Sequence, residues 1–151
     1  MSDTDLSTLA ARKALAAKYA AKHGLDTALI CAVIEQESSW DPFAVRFEPA
    51  FEARYIKPAI PNMPTTLEMT KAMSFGLMQL MGETAIEFGW KGKFLTELCD
   101  PHTGVDFGCA KLRHCLDISA MGGETTALLI YNGGSNLLYP SQVLARKPTY
   151  E

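Results

Sequence analysis

The carboxylate best able to move a proton in this sequence is Glu37. In a helix, residues four apart share a face, so Leu29, Val33 and Glu37 line up. That stripe is apolar until its last turn, where it ends in a carboxyl group. Burial disfavours the charged form, and a helix C-terminus carries partial negative charge, so both raise the pKa of such an acid. A glutamic acid still protonated at neutral pH can protonate a leaving oxygen, which is what a glycosidase needs. Glu35, two residues earlier, points to another face and is expected to be solvated. Spacing alone also allows Glu37 to pair with an arginine or cap a neighbouring helix, because structural pairs perturb carboxylates as well.

A hydrolase normally uses a second carboxylate, roughly 5–9.5 Å from the first depending on mechanism. Glu48 and Glu52 are the candidates, in the stretch Arg46-Phe47-Glu48-Pro49-Ala50-Phe51-Glu52-Ala53-Arg54-Tyr55. Glu48 could face Glu37 across a groove, and a salt bridge to Arg46 or Arg54 accounts for it equally well. Cys99, His102, Cys109, His114 and Cys115 lie close together in sequence. Their spacing does not match the paired ligands of structural zinc, so neither a metal nor any other cofactor is expected. Together with Cys31, the cysteines read as mostly free thiols, with a bridge from Cys99 as the alternative. Cys109 and Cys115, six apart on one expected helix, are badly placed to bond each other.

The elements that must position these groups are mainly helical. A first helix is expected over residues 5–22, rich in Ala, Leu and Lys, with Gly24 as its stop. Asp26 can cap a second helix that carries Leu29, Ile30, Val33 and Ile34 and ends near 38–39, ahead of Asp41-Pro42. Residues 46–66 contain Pro49, Pro58, Pro61 and Pro64 among Phe47, Phe51 and Tyr55. They are expected to form a largely irregular insertion with one helical turn at 52–55, its aromatics making one wall of a groove. Further helices are expected over 66–72, 83–88, 102–116 and 124–131, with a short tail containing Pro140 after Leu138. No repeat and no convincing strand series is present.

Composition narrows the function classes. With 151 residues, 48% hydrophobic and 21% charged, the chain is expected to be one domain, 1–151, able to bury a core without staples. A net charge of −3 argues against a nucleic-acid binder and gives no long-range attraction to an anionic cell wall. Any wall binding must come from a local groove. No apolar run approaches the roughly 20 residues of a membrane span. The polar, acidic start lacks the pattern of a secretory signal, so the protein is expected to be made in the cytoplasm. It would then stay there or cross the membrane by another route, such as release through a holin pore. A monomer is the default expectation.

Four segments resemble one known family. The run Ala28-Leu29-Ile30-Cys31-Ala32-Val33-Ile34-Glu35-Gln36-Glu37-Ser38-Ser39-Trp40-Asp41-Pro42 is similar to the first motif of soluble lytic transglycosylases and goose-type lysozymes. Gly76-Leu77-Met78-Gln79 resembles their second motif, although Met73-Ser74-Phe75 replaces the usual small residues before it. Asp100-Pro101 with Val105 and Gly108 resembles a third segment, with Gly104 where an Asn is usual, and Tyr131-Asn132-Gly133-Gly134 resembles the last motif. The segments follow the family's order over a motif-bearing core of about 26–134. The resemblance implies a mainly α, lysozyme-like fold acting on peptidoglycan glycan strands.

It also implies roles: Glu37 as catalytic acid, Tyr131 beside it, and Ser38, Met78, Gln79 and Asn132 around the sugar. Cleavage of the β-1,4 bond between N-acetylmuramic acid and N-acetylglucosamine is the implied reaction, with 1,6-anhydromuramoyl products. The stretch around Glu48 is faintly similar to an Arg-Phe-Glu-Pro run in phage muramidases, which keeps a hydrolytic endolysin as the alternative. A non-catalytic wall-binding module stands behind both. For Met78 taken alone, core filling is the simpler reading, and for Asn132 it is turn chemistry ahead of two glycines.

Overall fold

A computed structural model describes residues 4–151. Met1–Asp3, part of the polar start on which the expected lack of a secretory signal rests, lie outside the described residues. Helix α1, Leu9–His23, begins where the Thr8 side chain accepts the Ala11 N–H at 3.1 Å and ends on Gly24 in the left-handed conformation. Helix α2, Thr27–Ser38, is capped by Asp26, whose carboxylate accepts the Ala28 N–H at 3.0 Å. Seven consecutive residues of α2, Ala28 to Ile34, are buried. It is therefore the central helix of the core, and Glu37 sits on its last turn. α2 is stopped by Ser39 and Trp40, both at positive φ (52° and 67°). Non-glycine residues rarely adopt this conformation, so something must hold it. The buried Trp40 ring does so, its Nε1–H donating to the Tyr150 hydroxyl at 2.9 Å.

The 46–66 stretch is more ordered than expected. Strand β1, Val45–Phe47, leads into helix α3, Pro49–Phe51, which runs on as a π-helical turn, Glu52–Ile56. Helix α4 follows at Thr65–Lys71. The mainly helical fold also contains a small sheet that the sequence did not reveal. β1 pairs antiparallel with β2, Met73–Phe75, which pairs antiparallel with β3, Leu80–Met81. Strands of two or three residues are too short to show an alternating pattern in sequence. The β2–β3 connection passes through Gly76 at φ 69°, and a Cβ there would lie 2.4 Å from the Leu98 carbonyl oxygen. Only glycine fits that approach.

Helix α5, Gly82–Glu87, precedes the long α6, Pro101–Ser119, which starts on an Asp100 cap to Thr103 N–H at 2.9 Å. Helix α7 spans Gly123–Tyr131. The short tail after Leu138, for which no element was expected, forms α8, Tyr139–Arg146, and a 3₁₀ turn, Lys147–Tyr150. Pro140 lies in the first turn of α8, where a missing N–H costs nothing, so it starts this helix instead of breaking it.

Two apolar clusters result. The larger joins α1, α2, α6, α7 and α8 through residues such as Ile30, Leu112, Leu128 and Val143. The smaller lies under the sheet and consists of Phe75, Leu80, Ala85, Leu95 and Leu98. No described helix is long and apolar enough to cross a membrane.

Candidate active site

A cleft of about 720 Å³ opens between the helical core and the sheet side. α2 contributes Glu37 to it, α6 Lys111 and the end of α7 Tyr131 and Asn132; the opposite wall comes from 44–55, with Ser74, Gln79 and Met81 from the sheet region. The Tyr139 hydroxyl, from the first turn of α8, donates to Glu37 Oε1 at 2.5 Å. Oε2 takes no hydrogen bond among the described residues. Desolvation raises the pKa of Glu37; the Tyr139 bond and the positive charges of Lys111 and Arg46 oppose this only in part. Tyr139 itself stays protonated, because burial and then the Glu37 charge push its phenol far up.

Glu35 shows how differently a carboxylate can be housed two residues away. Expected to be solvated, it accepts the Tyr150 hydroxyl at 2.6 Å and lies 3.2 Å from Arg146 Nη1. It is a structural carboxylate with a cation in contact. Glu37 has only a neutral phenol in contact, so its charge is less well compensated.

Tyr131 is buried, and its hydroxyl donates to the Met78 carbonyl at 2.8 Å. Lys111 Nζ donates to the Tyr131 carbonyl at 2.8 Å and lies 4.2 Å from the centre of its ring. Desolvation lowers the Lys111 pKa, and the Glu37 charge is among the influences that raise it. Lys111 thus fixes the end of α7 and puts positive charge into the cleft beside the acid.

The other sequence candidates divide. Gln79 lines the cleft, and its side chain amide donates to the Ala44 and Gly76 carbonyls, each at 2.9 Å, tying the β2–β3 turn to the residue before β1. Asn132 lines the cleft and also makes the expected turn, its Oδ1 accepting the Asn136 N–H at 3.1 Å. Ser38 does not line it; its hydroxyl bonds to the Ile34 and Leu77 carbonyls. Met78 is corrected from groove lining to core. It is fully buried and packs where Gly108 leaves room, a Cβ there coming within 2.5 Å of the Met78 sulfur. Glu48 lines the cleft, but Arg46 Nε donates to its Oε1. Phe51 and Tyr55 form the aromatic wall, their tilted rings 4.9 Å apart between centres, whereas Phe47 does not line the cleft.

Sequence reasoning missed Tyr139, Lys111 and Arg54. The i, i+4 pair Tyr139 and Val143, both buried, was the available sign of α8. All four cysteines are free, and no group of three or more His, Cys, Asp or Glu residues able to hold a metal occurs among the described residues.

A family profile described as "Transglycosylase SLT domain" matches residues 14–142, a span that includes every cleft residue named above. No curated protein and no solved structure matches the chain.

Proposed function

Because the chain belongs to the transglycosylase SLT domain family of peptidoglycan-cleaving enzymes, we propose that it breaks the β-1,4 bond after N-acetylmuramic acid by lytic transglycosylation, with Glu37 as its one acid and base. The protonated carboxyl gives its proton to the glycosidic oxygen as the bond to C1 breaks. With Tyr139 on Oε1, Oε2 is the oxygen able to carry that proton. The carboxylate then takes the proton of the muramoyl 6-hydroxyl, which attacks C1 and closes a 1,6-anhydro ring. Lys111 favours the ionised form between the two steps. Tyr131 positions the floor through its bond to the Met78 carbonyl and through Lys111.

The observation that carries this reading is the unequal state of the two lining carboxylates. Glu37 has no cation in contact, while Glu48 is tied to Arg46. A hydrolase of this type needs a second carboxylate available to a water or to the sugar. Glu48 does line the same cleft, which is why hydrolysis is the second reading. Mass spectrometry of digested peptidoglycan separates the two. Product ends one water lighter than reducing ends are expected. Reducing ends that disappear in Glu48→Gln would establish the hydrolytic muramidase instead.

A further inference from the structure

The cleft holds more positive charge than its chemistry uses. Arg46, Arg54 and Lys111 line it against Glu37 and Glu48, in a chain whose formal net charge is −3. Three cationic side chains therefore face two carboxyl groups there. Two of the cations are committed: Lys111 to the Tyr131 carbonyl and ring, Arg46 to Glu48. Arg54 is not. It is exposed, and among the described residues it has no carboxylate partner and donates no hydrogen bond. Its guanidinium lies 5.2 Å from the centre of the Tyr55 ring, and Tyr55 packs at a tilt against Phe51. The aromatic pair therefore holds the cation at the cleft wall with its fork of N–H donors unused. That fork matches a carboxylate in two parallel bonds.

The sugars of the substrate backbone are neutral. Negative charge enters on the muramoyl side, through the lactyl group or the peptide stem joined to it. Resting on the reading of the cleft as a peptidoglycan site, we propose that Arg54 binds a carboxylate carried by the muramoyl substituent. The Phe51–Tyr55 shelf packs against the neighbouring sugar, so the enzyme selects acidic over neutral glycan. This answers the problem set by the net charge: attraction is local to the cleft because the chain as a whole repels an anionic wall.

Three soluble glycans test the proposal. One keeps whole peptide stems, one is stripped to free lactyl carboxylates, and one is stripped and then has those carboxylates converted to primary amides. The expected KM is about fivefold lower for an acidic glycan than for the amidated one, the size of a partly exposed ion pair. R54Q is expected to lose most of that preference and R54K to keep more of it. A preference confined to the stem-bearing glycan assigns the carboxylate to the peptide; one shared by the stripped glycan assigns it to the lactyl group. Equal KM on all three glycans, or an undiminished preference in R54Q, overturns the proposal. Affinities of the Glu37→Gln protein for the same glycans keep the two readings apart. Preferential binding with no anhydro product from the wild type would leave Arg54 its role and refute transglycosylation. Glu37-dependent cleavage without preference would do the reverse.

Discussion

On the helical side of the cleft, Glu37, Lys111 and Tyr131 each have a fixed partner from a different element. Glu37 on α2 meets Tyr139 on α8, Lys111 on α6 meets Tyr131 on α7, and Tyr131 reaches the backbone of Met78. Across the cleft, Arg54 and Tyr55 are exposed and lean on each other along one π-helical turn. The first wall belongs to the main core, where movement of any side chain disturbs several helices. The second can be altered with little effect on the core. Chemistry needs a fixed geometry and a desolvated acid, whereas binding a long, variable polymer tolerates an adaptable surface. The contrast implies that changes on the helical wall act on kcat and pH dependence, and changes on the 45–55 wall act on KM.

The largest effect tests the helical wall. Glu37→Gln keeps the shape of the side chain but cannot give up a proton, so kcat is expected to fall by about 10³-fold or more. Wild-type clearing of chloroform-treated cells with no difference from this variant would remove Glu37 from the mechanism. The same substitution has a second, independent signature. The folded-state pKa of Glu37 lies above its unfolded value, so its stabilising contribution is present at low pH and lost as pH rises through the folded pKa. Glutamine does not titrate. Glu37→Gln is therefore expected to melt close to wild type in acid and above it at neutral pH, which a pH series of melting temperatures reads directly. A constant gap across that series would mean that Glu37 is not desolvated.

Next in size is Tyr139→Phe. It keeps the buried ring but removes the donor to Oε1. That bond favours the ionised carboxylate, so its loss raises the Glu37 pKa further. Activity of a general acid is lost as pH rises through its pKa. The alkaline limb of the rate profile should therefore move to higher pH. A roughly tenfold drop in kcat at neutral pH should accompany it, as the carboxylate left after proton transfer loses a hydrogen bond. An unmoved limb would assign Tyr139 to packing alone.

These two walls were not equally readable from the sequence. Helices α1, α2, α6 and α7 announced themselves, because Asp26, Asp100-Pro101 and Gly24 are strong local boundaries and the apolar spacing between them is regular. That spacing offered Glu37 as one candidate acid, and the resemblance of the four segments singled it out. Its partners were not legible, because Tyr139 is 102 residues away and joined by tertiary packing that no local rule reports. The short tail after Leu138 carried no helix expectation, so the helix that bears Tyr139 went unseen. Met78 sat within a recognisable segment, yet its inward direction depends on Gly108 and on the turn after Gly76. The 45–55 wall was harder still. Its prolines suggested irregular chain, and a π-helical turn leaves no 3.6-residue period to detect. What composition did show there was aromatic residues among arginines, and Phe51, Arg54 and Tyr55 line the cleft alongside Arg46 and Glu48.

The smallest expected effect is on that wall and is the sharpest test of the division. Tyr55→Ala removes an exposed ring that packs at a tilt against Phe51 and supports the Arg54 guanidinium. A ring of this kind contributes about 0.5–1.5 kcal/mol to a stacking contact, so KM for soluble glycan should rise about three- to tenfold. Because Tyr55 lies outside both apolar clusters, the melting temperature should barely change. Because it does not touch Glu37, kcat and the position of the alkaline limb should stay near wild type. Steady-state kinetics across pH on a glycan of defined length give all three readings. A fall in kcat with KM unmoved would show that the 45–55 wall takes part in the chemistry. Glu48, on that same wall, would then be the first residue to reconsider as a partner of Glu37.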